Sequence, residues 1–505
     1  MTTSKHQTEG GAESSTFVKR MIDSHSVLGL AFAALIYVVS LTGALALFAE
    51  EIQLWESPDS LTSASASTEA IAAAAVNAQT QVTPDYEILN VIVTAPTEFR
   101  PLLTVRLNER MNRQSPLIST DWIADPDSGE LTSLIHAPYA EMVELLHTDL
   151  LLPRPWGRYL VGLIGVAMFT LILSGIFAHP TIVKDAFKLR LRSNARMAWT
   201  DVHNRLSVWG LPFHLILTFT GAFLGIAGII VAALALLAYK GDQEAAIQVI
   251  QGPQAILERP LLQTPTDYAA MLEHSQADDR QLSLLVANNP EHSGYTTTVA
   301  YYEAGILSAR TSDIYRNDGE FLQKFGGKGS PAGNRVFGMV QPLHYGTYGG
   351  YTIKFFYLIL ALALTYITST GMMIWFKRKR QQGQEKQKTE AAWRGMTTGL
   401  SLGLAFTGLL AVSIDGLPLV PIFLVLWVIG FVLVYRSVDV LSRVRQLYFC
   451  IAAVLVALAL TQGFSVLSAH AADQMIPNVI NGVLALVGGG FVWLGRRLQT
   501  PRLTS

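Results

Sequence analysis

The chain has 505 residues, half of them apolar and only 15% charged, with 37 Lys and Arg against 38 Asp and Glu. Soluble globular chains carry roughly a quarter of their residues charged, so the composition excludes an ordinary water-soluble protein, and a net charge of −1 excludes the basic face of a nucleic-acid binder. The single cysteine, Cys450, excludes disulfide frameworks, cysteine-held zinc and iron–sulfur clusters, which leaves eleven histidines as the metal-binding resource.

In chain order the pattern predicts an α-helical integral membrane protein of about eight transmembrane helices, with two small α+β external domains inserted between helices 1 and 2 and between helices 3 and 4. A cytoplasmic tail over 1–26 leads into an apolar run at 27–48, long enough to cross a hydrocarbon core that takes about 20 helical residues. Glu50, Glu51 and Trp55 follow it instead of a small-residue cleavage site, so it reads as a retained anchor. The first external domain, 49–157, carries a helix-like stretch at 67–78, strand-like runs at 86–94, 102–106 and 117–124, and a turn at Asp125-Pro126-Asp127-Ser128-Gly129-Glu130. A second span at 158–178, a basic cytoplasmic loop at 179–205 and a third span at 206–238 come next. The second external domain, 239–351, repeats strand-like runs at 296–302 and 306–315 and a turn at Asn317-Asp318-Gly319-Glu320. Both turns are too short for an EF-hand and read as turns alone. A fourth span at 352–376 and a basic linker at 377–396 precede an appended four-helix bundle over 397–495 and a tail over 496–505. The bundle's spans are expected at 397–414, 418–435, 446–466 and 477–495.

Lys and Arg collect in every second loop. Lys5, Lys19 and Arg20 precede the first span; Lys184, Lys188, Arg190, Arg192 and Arg196 follow the second; Lys377, Arg378, Lys379 and Arg380 follow the fourth. Arg436, Arg443 and Arg445 follow the sixth, and Arg496, Arg497 and Arg502 the eighth. Basic loops stay cytoplasmic, so both termini are expected inside a bacterial inner membrane and the two long segments in the periplasm.

The histidines follow an internal repeat. His25 precedes Thr42-Gly43-Ala44 by 17 residues, and His203 precedes Thr220-Gly221-Ala222 by the same 17. His147 precedes Ser174-Gly175 by 27, and His344 precedes Thr370-Gly371 by 26. A histidine at a helix end is often only an interfacial polar residue, but matched offsets favour a metal or haem. His25 and His203 then form a cytoplasmic level and His147 and His344 an external one, each suited to the iron of one non-covalent b-type haem. With no C-x-x-C-H, covalent attachment is excluded. His214, 11 residues after His203, replaces Ile36 of the first half and is costly in an apolar helix unless partnered; it is expected as a ligand, a relay or a tie between helices. His179, at the end of the second span, has Trp375 as its counterpart. His6, His136, His274, His292 and His470 read as surface histidines. The Thr-Gly and Ser-Gly pairs read as close helix packing, and Cys450 as a small apolar packer.

Several stretches carry a family resemblance: "HSVLGLAFAALIYVVSLTGALALFAEE" from His25, "DPDSGEL" at Asp125, "LLHTDLL" around His147, "SGIFAHP" at Ser174, "DVHNRLSVWGLPFHLILTFTGA" from Asp201, "PLHYGTYGG" at Pro342 and "GMMIW" at Gly371. In this order, over about residues 17–380, they resemble the PepSY-associated transmembrane family, which includes bacterial ferric-siderophore reductases and iron-regulated membrane proteins. The resemblance implies PepSY-like external domains on a helical core that holds b-type haem. His25, His147, His203, His214 and His344 fall on the family's recurrent histidines and His179 on a more variable one. The four spans after Lys388 depart from the short reductases.

The expected function is haem-dependent transmembrane electron transfer, an oxidoreductase activity that reduces ferric iron, as a siderophore or other chelate, on the periplasmic side for iron uptake. Its partners would be the lipid bilayer, the ferric chelate and a membrane or cytoplasmic electron donor such as quinol. A membrane sensor that binds a peptide or protease without redox chemistry is the alternative, and a transporter, suggested by the parallel repeat, the third.

Overall fold

The computed structural model describes residues 5–58, 62–112, 114–179, 195–252, 260–275, 280–302, 311–469 and 475–498, with positions 181, 184, 187 and 307. Lys188, Arg190, Arg192, His470, Arg502 and residues 306 and 308–310 of the expected 306–315 strand lie outside the described residues, as do the side chains of Lys5 and His6. The chain begins with α1 (Lys5–Ala46), α2 (Ala49–Glu56) and α3 (Thr68–Gln79), followed by strands β1 (Glu87–Thr94), β2 (Leu103–Arg110), β3 (Ile118–Ala124) and β4 (Leu131–Leu134). Next are α4 (Pro138–Asp149), α5 (Trp156–Ala178), α6 (Ala195–Trp209), α7 (Leu211–Gly225), α8 (Ala227–Ala238), α9 (Gln243–Gln251) and α10 (Tyr268–Ser275). Strands β5 (Gln281–Asn288), β6 (Thr296–Tyr302), β7 (Thr311–Arg316) and β8 (Phe321–Gly326) lead to α11 (Ala332–Tyr345) and α12 (Gly350–Gln381). The chain closes with α13 (Gln387–Ala411), α14 (Leu419–Tyr435), α15 (Val440–Ser468) and α16 (Met475–Arg497).

These elements form two compact units, one of residues 1–58, 138–226 and 351–505, the other of 59–137 and 227–350. The first is helical. Among the described residues, five helices are long and apolar enough to cross a membrane: Thr16–Ala46, α5, α12, α15 and α16. The chain is therefore a multi-pass membrane protein. The expected third span, 206–238, is broken where the sequence places Gly210 and Pro212: α6 and α7 meet at a 72° bend and qualify only as a broken sixth span. Proline in the first turn of α7 is tolerated because its missing N–H has no partner there, but it cannot continue the preceding helix. A second break at Ile226 leaves α8 as a 12-residue apolar helix in the other unit. Two of the eight expected spans fall short for other reasons. α14 has 17 residues, and α13 carries glycines that trade hydrophobicity for close packing: a Cβ at Gly399 would lie 2.6 Å from the Trp427 carbonyl oxygen, and one at Gly395 2.8 Å from that of Phe431.

The second unit is built on one antiparallel sheet in the order β4-β3-β2-β1-β5-β6-β7-β8. Each long inter-helix segment thus supplies a four-stranded meander, and β1 pairs with β5, Ile92 opposite Val286, to make them continuous. One face alternates Val91, Val93, Val105, Leu285 and Val299 into a core closed by α3 and α10. Ser67 caps α3 by accepting from the Ala70 N–H. Both anticipated turns form. Asp125 accepts the N–H groups of Asp127 and Ser128 ahead of Gly129 at φ +73°, and Gly319 turns the second at φ +98°.

Within the helical unit, Glu51 of α2 and Lys354 of α12 make an ion pair, each residue only 2% exposed, with the Lys354 ammonium 5.2 Å from the Phe48 ring centre. Burial pushes the Glu51 carboxyl up, and Lys354 draws it back down. Removing one partner of such a pair strands a buried charge at a cost of about 3–5 kcal/mol. Lys354→Met is therefore expected to cost that much in denaturant titration of the purified protein, and adding Glu51→Gln to recover most of it; equal losses in the single and double variants would show that the pair does not set local stability.

Candidate functional site

An apolar helix interior offers an imidazole few partners, yet its N–H must be satisfied. Three of the expected histidines solve this in one way. His25 on α1 donates its Nδ1–H to the Leu171 carbonyl of α5 at 3.0 Å, and His203 on α6 donates to the Ile367 carbonyl of α12 at 3.1 Å. His147, at the end of α4, donates to the Val39 carbonyl of α1 at 3.0 Å. In all three the acceptor helix carries a hydroxyl residue three positions later and a glycine four later: Ser174 and Gly175, Thr370 and Gly371, Thr42 and Gly43.

The spacing has a geometric cause. In an α-helix each Cα–Cβ bond tilts toward the N-terminus, so the side chain at i+4 covers the carbonyl of residue i. Glycine there uncovers it. A Cβ at Gly43 would sit 2.7 Å from Cε1 of His147, and one at Gly175 3.3 Å from Cε1 of His25, whereas one at Gly371 would stand 3.5 Å from Cε1 of His203. The hydroxyls complete the cradle. Ser174 and Thr370 donate to the same carbonyls that take the imidazole proton, at 3.0 and 2.7 Å, and so accept from the Nδ1–H of His25 and His203 at 3.2 and 3.0 Å. With Nδ1 protonated, the neutral ring keeps its Nε2 lone pair for a ligand.

His25 and His203 face one another. Their ring centres are 6.3 Å apart and their planes nearly perpendicular, at 88°. Both line a cavity of about 420 Å³ between α1, α5, α6, α7 and α12, within the range of small-molecule and cofactor sites. Its walls are largely apolar, with Ile36, Met168, Leu364 and Met372, and Arg378, Thr200 and Asn204 add polar groups.

His214 also lines this cavity but is held differently: buried on α7, it donates Nε2–H to the Leu360 carbonyl of α12 at 3.2 Å. The bend at Gly210 means that it does not continue the face of α6 from His203, as an unbroken helix would require. His179 borders the cavity as the residue capping the C-terminus of α5, its Nδ1 3.4 Å from the Thr181 hydroxyl. His147 is half-buried, and burial holds its imidazole below the usual histidine range. His344 ends α11 in the sheet-containing unit, just before Gly346 in the left-handed region. Among the described residues no group of three or more His, Cys, Asp or Glu side chains is placed to hold a metal ion.

The carbonyl acceptors Leu171, Ile367 and Val39 carry no side-chain signal and were not legible in advance. The Ser/Thr-Gly pairs were visible, but as packing devices.

Comparison with known proteins covers the stretch of chain that carries these helices and histidines. The profile of the PepSY-associated TM region fits residues 22–378. An uncharacterized protein of Pseudomonas aeruginosa is 26% identical over 326 residues, covering 57% of this chain and 78% of its own length. The match includes all six candidate histidines and ends before α13, and it spans well over half the chain. The chain belongs to the PepSY-associated transmembrane family.

Proposed function

We propose that the chain holds haem b between His25 and His203 and passes electrons across a bacterial inner membrane to a ferric chelate, of the siderophore class, on the periplasmic side. The single observation that carries this reading is the facing pair of imidazoles, each anchored through Nδ1. The distance between the His25 and His203 ring centres is 6.3 Å. His25 and His203 would hold the group as a set of two imidazole donors. When bound, haem would supply a one-electron Fe(III)/Fe(II) couple tuned by these imidazoles and by burial.

The chain's own residues do the rest. The Leu171 and Ile367 carbonyls fix the tautomer and aim of the two rings and raise their basicity, the part that outer hydrogen bonds play at metal sites. The largely apolar walls suit a flat apolar group, and His214 ties α7 to α12 beside them. A second haem b at the external level belongs to the same reading, with His147, anchored in the same way, as a ligand. The sorting of basic residues supports cytoplasmic termini and a donor, such as quinol, at the cytoplasmic or membrane level. The ferric chelate gains one electron, and hard oxygen donors hold the resulting Fe(II) more weakly.

The absorption spectrum of protein purified from haem-replete cells tests this directly. A Soret band with reducible α and β bands is expected, and His25→Ala and His203→Ala are each expected to remove the same component of it; a colourless, folded wild-type protein overturns the reading. The glycine cradle gives a second expectation. Gly43→Ala should destabilise by about 1–3 kcal/mol of overpacking, offset in part by the higher helix propensity of alanine. Gly371→Ala, with room for its methyl group, should be neutral or stabilising in the same unfolding assay; equal losses at both positions would contradict the cradle.

A further inference from the structure

The helices beyond the family match converge on the segment that carries His147. α2 is fastened to them first: the Trp55 indole N–H donates to Asn481 Oδ1 of α16 at 2.8 Å, and the Gln462 side chain of α15 donates to the Trp55 carbonyl. The next residue, Glu56, then caps α4. Its two carboxylate oxygens accept the N–H groups of Tyr139 and Ala140 at 2.9 and 3.0 Å, two donors that a helix start leaves without intrahelical partners. Burial pushes the Glu56 carboxyl up to about 7. The Tyr139 hydroxyl reaches the Leu404 carbonyl of α13 at 3.2 Å.

The body of α4 follows the same plan. Met142, Val143 and Leu146 are buried against Leu400 and Leu404 of α13 and Leu419 and Phe423 of α14. Tyr139, Met142, Val143 and Leu146 form one helical stripe, at i, i+3, i+4 and i+7. His147, beside that stripe, turns to α1 instead, where its imidazole occupies the space over Gly43. α4 therefore lies between the appended helices and α1, and a slight rotation would lift His147 off the Val39 carbonyl.

We propose that α13–α16 act as an intramolecular brace that holds α4, and with it the His147 imidazole, in place against α1, with Trp55, Glu56 and Tyr139 as the positioning residues that transmit the restraint. That the held group is a haem ligand rests on the function proposed above; the brace itself does not.

The test is hydrogen–deuterium exchange of the full-length protein in detergent, comparing wild type with Asn481→Ala, Asn481→Asp and Glu56→Gln. Asn481 lies on α16 and Asp keeps an acceptor for the Trp55 indole. Amides of α4 near His147 are expected to exchange about tenfold faster in Asn481→Ala and Glu56→Gln, with wild-type protection in Asn481→Asp and in α5 of every variant. Unchanged α4 exchange, or equal acceleration of α4 and α5, overturns the brace. In haem-loaded protein, Asn481→Ala should shift the midpoint potential of the component that His147→Ala removes and leave the component that His25→Ala removes unchanged; shifts in both overturn selective positioning. A wild type without haem would sink the functional reading, while the exchange experiment would still decide the brace.

Discussion

The hydrogen bond from imidazole Nδ1 to a helix carbonyl is the constraint around which the membrane-spanning unit is arranged. A backbone carbonyl has two lone pairs, and the helix ladder uses one. A glycine four residues later uncovers the second lone pair to a closely packed ring, and the cradles of His25, His203 and His147 each have one. The bond therefore fixes more than a ring: it fixes the rotation of both helices about their axes and their distance apart. His25 sets α1 against α5, His203 sets α6 against α12, and His147 sets α4 against α1. These contacts close one side of the cavity and bring the first two imidazoles face to face.

The other strong restraints act around this arrangement. Close passage of α5 and α7 depends on Gly162 and Gly225, whose backbones nearly touch: a Cβ on Gly225 would lie 2.4 Å from the Gly162 Cα. The Glu51–Lys354 pair pins α2 to the start of α12 with two opposite charges buried together. None of these contacts gains much from the hydrophobic effect between helices, which is weak where the surrounding solvent is hydrocarbon. They draw on packing and on polar groups with few alternative partners.

Much of this was legible in the sequence, for physical reasons. Lipid demands long apolar helices, so α1, α5, α12, α15 and α16 were visible as runs of composition. The strands at 87–94, 118–124 and 296–302 are rich in β-branched and aromatic residues, and they were placed within a residue or two. The bend at Gly210 was missed because hydropathy is blind to a proline that leaves composition apolar. β5, at 281–288, was missed because its apolar run, Leu282 to Ala287, does not alternate clearly. The histidine repeat was seen, but only as offsets along the chain, from His25 to Thr42-Gly43 and from His147 to Ser174-Gly175. The folded protein crosses them, so that His25 rests on Gly175 and His147 on Gly43. Sequence offsets report that two halves are alike; they do not report which helix lies beside which.

The β1–β5 pairing has a consequence for what one half of this chain could be. The strand order reads outward from that seam in the same sense on both sides, β1 to β4 one way and β5 to β8 the other. A single half made alone would expose the row of N–H and C=O groups that now meet across Asn90–Thr94 and Leu284–Asn288. The complement of that open edge is a second copy of the same kind of half, turned end to end. The two repeats thus stand to one another as the subunits of a dimer, with continuous backbone hydrogen bonding as the interface and a covalent tether replacing assembly from solution.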